Sequence, residues 1–284
     1  MSDSESLETT IGFFVPLNES VDANIYAKAV ERYNEVVAAT HGVKKDVPYN
    51  HRLFKDILSS FQKNGQLFRR AQGAVEDKSL MWLSDVREAA KWVAASRNVP
   101  AFKGISPEDL YRLSRLSIDE TAPLWIGEKL AELGVILIHA KQSKSMKVDG
   151  AVFLIESGNP VIALTLRYAR LDNYWFTLMH ELSHIVLHLG LLDSPIVDDL
   201  DNASTELVEI EANHLARESF VSRSEWRNCP PKYNLNSQVV IDYAHQQGLH
   251  PAIVAGMLRH DLNRFDVFSD IVSSVNTRAL VFNE

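Results

Sequence analysis

Apolar residues recur at helical spacing along most of this chain and gather into strand-like runs in only one region. From Val21 to Ala39, Ile25, Val30, Tyr33, Val36 and Val37 share one helical face, and His41-Gly42 closes the segment. After a loop at Lys44 to Pro48, a second helix turns Leu53, Phe54, Ile57, Leu58 and Phe61 inward and stops at Asn64-Gly65. A third runs from about Ser79 to Ser96 on Leu80, Leu83, Val86, Ala90 and Val93. Ser106-Pro107-Glu108-Asp109 reads as a helix start, with a capping Ser, Pro in the first position and two acids near the positive helix end. The next helix holds Trp125, Ile126, Leu130 and Leu133 and stops at Gly134.

The pattern then changes period. Val135 to Ile138, Ala151 to Ile155 and Val161 to Thr165 are β-rich runs, and the turn Ser157-Gly158-Asn159-Pro160 joins the last two into a hairpin. Ile11 to Val15 is a further short strand candidate. From Asp172 to Leu189, with Asp172 or Asn173 as cap, Tyr174, Trp175, Phe176, Leu178, Met179, Leu182, Ile185, Val186 and Leu189 make a helix apolar almost all round, which is the mark of a core helix. Gly190 ends it, Leu191 to Asn202 reads as an acidic, solvated connection with the shaping of substrate access as the alternative, and a helix follows from about Ser204 to Val221. Gln238 to His245 and Pro251 to Arg259 read as helix, turn, helix. The second of these carries cations only at its end, Arg259 and His260, so a packing module is expected there and DNA binding is not. The expected fold class is α+β: mainly helical, with a small mixed or antiparallel sheet packed on the central helix. Residues 1–75 are expected to form an N-terminal helical region and residues 76–284 the main domain with a C-terminal helical module.

The central helix carries one polar stripe, Thr177, His180, His184 and His188, with Glu181 at its side. Burying such groups unpaired costs on the order of 1–3 kcal/mol each, more for a charge, and a bound cation would satisfy them together. His180-Glu181-Leu182-Ser183-His184 is an H-E-x-x-H pattern: two imidazoles four apart lie on one helix face and can reach one metal ion, with the Glu placed as general base. Catalytic zinc usually takes a third protein ligand. His188 lies about 12 Å along the axis from His180, too far for one ion to bridge all three histidines. On the helix from Ser204 to Val221, Glu209 shares the inward face of Ala212 and Ala216 and is chosen as third ligand, with Glu211 as the alternative. Asn213 stacks four after Glu209, where it would orient a ligating imidazole, and His188 is expected to support the site from behind or to belong to the core.

Bulk properties narrow the setting. The 284 residues are 46% apolar and 23% charged, with net charge −8, so non-specific binding to nucleic acid or anionic membrane is disfavoured. A basic stretch from Lys44 to Arg70 is interrupted by Asp46 and Asp56 and reads as solvated helix faces. The lone Cys229 excludes an internal disulfide framework. No run approaches the ~20 apolar residues of a membrane span, and the acidic start carries no signal-peptide pattern. Residues Met1 to Thr10 are expected to be mobile, and the cytoplasm is the expected location.

Leu171 to His184, with Glu209-Ile210-Glu211-Ala212-Asn213 downstream, resembles the ImmA/IrrE family of zinc peptidases. The likeness reaches back through Asp149-Gly150-Ala151 and Pro160-Val161-Ile162, and forward to Gly248 through Gly256. Ser183 stands where the family usually has Gly, and His214 to Val221 departs from the family's usual sequence. The resemblance implies a minimal thermolysin-like zincin with Zn2+ on His180, His184 and Glu209 and Glu181 as base. It also implies a regulatory role, in stress-response or toxin–antitoxin settings, in cleaving or relieving a helix-turn-helix repressor or similar partner. Zinc peptidases commonly lay an edge strand beside such a helix, where an extended substrate adds as a further strand. Tyr168, Arg170 and His214 are unranked candidates for stabilising an oxyanion. Two rivals remain: a non-catalytic, antitoxin-like protein that uses the fold to hold a partner, and a zinc hydrolase of a non-peptide substrate.

Overall fold

The computed structural model of the chain describes residues 23–41, 53–54, 57–58, 74–141, 146–193, 195–198 and 207–283. The strand expected at Ile11 to Val15, the mobile start, the loop at Lys44 to Pro48, the stop at Asn64-Gly65 and most of the basic stretch lie outside them. The chain divides into two compact units, Met1–Asn64 and Gly65–Glu284. In the first, α1 (Ala23–His41) buries Ala29, Tyr33 and Val36; Leu53, Phe54, Ile57 and Leu58 are buried too. The Phe54 ring meets Tyr26 and Tyr33 edge-on at 5.4 and 5.9 Å. Of the expected inward residues, Tyr33, Val36, Leu53, Phe54, Ile57 and Leu58 are buried and Val30 and Val37 half-buried, and Ala29 joins them.

The second unit runs α2 (Ala74–Ser96), α3 (Pro107–Arg115), α4 (Ala122–Glu132), β1 (Ile136–His139), β2 (Gly150–Leu154), β3 (Pro160–Leu164), α5 (Leu171–His188), β4 (Ile196–Asp198), α6 (Leu207–Phe220), α7 (Arg223–Arg227), α8 (Ser237–Gln246), α9 (Pro251–Leu262), α10 (Ser269–Val272) and α11 (Thr277–Phe282). The architecture is α+β, as expected. Ser106 and Asp109 close a reciprocal capping box at α3, with Ser106 N–H donating to Asp109 at 2.9 Å and Asp109 N–H to Ser106 Oγ at 3.3 Å. Gly134 takes φ +80° just past α4, where a Cβ would stand 2.7 Å from the Phe102 backbone, so only glycine turns the chain into β1 there.

The sheet order is β1-β3-β2-β4. β1 runs parallel to β3; β2 is antiparallel to β3, as the predicted hairpin requires, and β4 is antiparallel to β2. Alternation then sorts the side chains. Val152, Ile162 and Leu164 face α5 and the large core, while Ala151, Phe153, Val161 and Ala163 face Trp82, Leu83, Val86 and Ala90 of α2. With both faces covered, the strands read as continuous apolar runs.

Two expectations need correction. α5 starts at Leu171, one residue earlier than expected, and its N-cap is Arg170 without a side-chain cap. Asp172 does not cap because it is buried within the first turn, accepting two bonds from Arg170 at 2.9 and 3.2 Å. It lies against Gly256 of α9, where a Cβ would meet its Oδ2 at 2.6 Å. The acidic connection Leu191 to Asn202 is not simply solvated: its residues Ile196–Asp198 form β4, with Ile196 half-buried against the core. Three residues are too few to show a strand period, which is why the pattern does not reveal it. α9 is buried from Ala252 to Arg259 and serves the core, as the packing reading predicts.

His139 ends β1 and shares a hydrogen bond with the Tyr174 hydroxyl of α5 at 3.1 Å. Burial pushes its pKa from 6.5 to about 4. The unfolded chain therefore binds a proton between those values that the folded chain does not, so stability present above pH 6.5 is lost as the pH falls toward 4. His139→Gln keeps a partner for Tyr174 without titrating. Its unfolding midpoint should fall less steeply than the parent's across that interval in pH-dependent thermal melts, and equal slopes would contradict the assignment.

Candidate metal centre

α5 and α6 pack against each other in the core. On α5, His180, Glu181, Ser183, His184 and His188 are all buried. Its small hydroxyls are satisfied within the helix: Thr177 Oγ1 donates to Asn173 O at 2.8 Å and Ser183 Oγ to Met179 O at 2.7 Å. The serine that departs from the usual glycine thus needs no partner beyond its own helix. The end of α6 is held by α3, since Arg115 donates to the Ser219 and Phe220 carbonyls at 3.0 and 2.6 Å and Ser114 Oγ to Ser219 O at 2.7 Å. These bonds occupy carbonyls that a helix end leaves open.

His180 Nε2 and His184 Nε2 stand 3.0 Å apart, and Glu209 Oε2 lies 3.3 Å from the first and 3.7 Å from the second. Among the described residues these three form the one group of side chains placed to hold a metal ion, and all three are buried. Glu209 sits in the first turn of α6, where the positive helix end favours a carboxylate.

The hydrogen bonds behind the histidines decide which nitrogen is bare. The Asn213 carbonyl oxygen accepts from His180 Nδ1 at 3.0 Å, leaving His180 Nε2 with a lone pair. Glu211 Oε2 accepts from His188 Nε2 at 3.1 Å, so His188 Nδ1 is an acceptor, and His184 Nδ1 donates to it at 3.1 Å. His184 Nε2 is therefore bare as well. Two lone pairs and a carboxylate oxygen converge in a buried place, an arrangement that a positive ion satisfies. The donor set fits a small divalent metal ion.

Each sequence-predicted residue can now be placed. His180, His184 and Glu209 come together; Asn213 and His188 stand behind the two imidazoles. Glu211, the alternative ligand, instead partners His188 at the solvent edge. Glu181 is fully buried, and its Oε1 lies where a Cβ on Gly150 would be, 1.9 Å away, so β2 approaches the carboxylate closely only because residue 150 is glycine. Gly150 is the site residue that spacing on the helices does not reveal. Of the oxyanion candidates, Arg170 is bound to Asp172. His214 is exposed, pairs with Glu218 at 3.6 Å and lines a separate cleft of about 330 Å³ with Arg217 and Trp226. Tyr168 lines a small cavity of about 10 Å³ with Asp149, Asn173 and Thr177, and Thr177 Cγ2 itself lies 3.0 Å from the position of a Cβ on Gly150.

Comparison with known proteins agrees with this geometry. Residues 132–239 match the peptidase family described as the IrrE N-terminal-like domain, and every residue of the cluster and its supports falls inside that span. No curated protein matches the chain.

The supports behind the imidazoles have a measurable consequence. Removing such partners costs about 10–100-fold in metal affinity in comparable sites. Asn213→Ala and His188→Phe should each weaken metal binding by that order in competition with a chromophoric chelator, with the fold retained by circular dichroism. Unchanged affinity in both would contradict the hydrogen-bond assignment.

Proposed function

We propose, for a chain whose residues 132–239 match the IrrE N-terminal-like peptidase family, a zinc-dependent endopeptidase of regulatory type. The observation that carries the reading is the buried His180–His184–Glu209 cluster with Glu181 beside it. Zinc is supported by the donor set of two imidazole nitrogens and a carboxylate oxygen, and a small divalent ion by their spacing. Donors about 2.0–2.1 Å from a tetrahedral zinc stand about 3.3–3.4 Å from each other, and the observed separations of 3.0, 3.3 and 3.7 Å bracket that value. His180, His184 and Glu209 would hold the ion and would leave it open to water or substrate, as catalytic sites require.

Bound zinc supplies Lewis-acid polarisation of a carbonyl oxygen and of a water molecule. The chain's own residues do the rest. Asn213 and His188 hold the imidazoles in the tautomers that present Nε2. Glu181 accepts the proton of the attacking water on a carboxylate oxygen and delivers it to the leaving amine nitrogen. The low-dielectric surroundings strengthen each of these interactions relative to water. The substrate class is a partner protein, a helix-turn-helix repressor or a toxin, and the setting is the cytoplasm. No described helix is long and apolar enough to cross a membrane.

One observation favours a second reading. Glu181 has no exposed surface. A protein that only holds a partner would need no more access than this.

Glu181→Gln separates the two. The variant should keep one equivalent of zinc and lose cleavage of a cognate repressor by about 10²–10⁴-fold, the usual worth of a general base. Full cleavage by the variant would remove the mechanism; a stable, uncut complex with the parent chain would favour the holding reading.

A further inference from the structure

β2 is the strand that abuts the catalytic carboxylate: Gly150 begins it, and the missing Gly150 side chain points at Glu181. An exposed edge there would be a template for an extended peptide, because main-chain N–H and C=O groups pair with any added strand. That edge is taken. β4 pairs along it antiparallel, Ile196 across from Val152, Val197 across from Ala151 and Asp198 across from Gly150. The occupant is a three-residue strand from the chain itself. Ile196 is only half-buried and Val197 is 37% exposed, whereas Gly150, Ala151 and Val152 beneath them are buried. The covering strand is thus half-exposed over an edge that is otherwise part of the core, and its anchor lies just before it, where buried Leu192 accepts from Leu154 N–H at 3.0 Å. Edge-to-edge pairing also brings the residue opposite Gly150 within about 4.5–5.5 Å of it, Cα to Cα, and so beside Glu181.

We propose that Ile196–Asp198 is a built-in occupant of the substrate edge. An extended polypeptide segment binds antiparallel to β2 in the register of β4, with an aliphatic side chain across from Val152 on the α5 side and the residue across from Gly150 brought to Glu181. Binding displaces β4. This rests on the peptidase reading above for the cleavage step, but not for the binding step. It also accounts for the closed site: Glu181 is buried in the state in which the chain's own strand covers the edge, and displacement of that strand opens the way to it. A short, half-exposed cover over a buried β2 is what a displaceable strand requires.

The test uses the full chain in three forms. In the first, Ile196→Gly, Val197→Ser and Asp198→Gly remove the strand. In the second, Ala151→Cys with Val197→Cys ties the paired positions by a reducible disulfide. The third is the parent. A fluorescent peptide with the sequence of residues 193–200 is titrated by anisotropy, and unfolded casein is the cleavage substrate. The strandless form should bind the peptide at least ten-fold more tightly than the parent and cleave casein at least ten-fold faster. The oxidised disulfide form should bind and cleave at least ten-fold less than the parent, and recover on reduction. Peptide binding that follows this order with no cleavage in any form supports the occupied edge and counts against the peptidase reading, so the two failures are distinguishable. Equal peptide affinity in all forms, or a disulfide that changes nothing, overturns the proposal. Should the strandless form fail to fold, the disulfide form in its oxidised and reduced states decides the matter alone.

Discussion

Three electron-pair donors meet in the buried interior, and most of the second unit is arranged to keep them there. His180 and His184 come from one helix and Glu209 from another, so the cluster exists only while α5 and α6 stay packed. A buried carboxylate facing two imidazoles is costly unless positive charge joins it. The chain accepts that constraint in its most buried region, and the hydrogen bonds to Asn213, His188 and Glu211 leave both Nε2 atoms facing inward. A polar cluster of this kind makes little sense as a device for stability alone; replacing it by apolar residues of similar volume is commonly neutral or stabilising.

The remaining elements serve this placement at one remove. The sheet backs α5, and Gly150 lets β2 come close enough for its backbone to lie against Glu181. α9 backs α5 on another side through Gly256, whose missing side chain leaves room for Asp172. Arg115 and Ser114 secure the far end of α6, so that its first turn, with Glu209, is positioned from both ends of the helix. The same closeness that orders the site also shuts it, and β4 lies at the boundary between the ordered interior and the outside.

The reading from residues alone recovers what has a period or a chemical spacing. The central helix, the pair of imidazoles and the hairpin are legible because each repeats a short pattern. Glu209 is legible because it shares a face with Ala212 and Ala216, and Asn213 because it stacks on Glu209. What escapes the pattern is what long-range packing decides. Asp172 looks like a cap and is a buried partner of Arg170, because α9 closes over it. Gly150 looks like an ordinary strand boundary until α5 places a carboxylate on it. Ile196 to Asp198 look like three residues of an acidic connection, since pairing with β2 depends on a neighbour more than forty positions away. Glu211 has the spacing of an alternative metal ligand, and its role behind His188 depends on how far α6 is rotated against α5.

The most direct measurement is the metal content and coordination of the purified chain, by elemental analysis and X-ray absorption at the zinc edge, beside the Glu209→Ala variant. The account predicts one zinc per chain, with two imidazole nitrogens at about 2.0–2.1 Å and a carboxylate oxygen at about 2.0–2.2 Å, and a large loss of affinity in the variant. A chain that takes up no stoichiometric metal, or one that binds it equally well without the Glu209 carboxylate, would contradict the account.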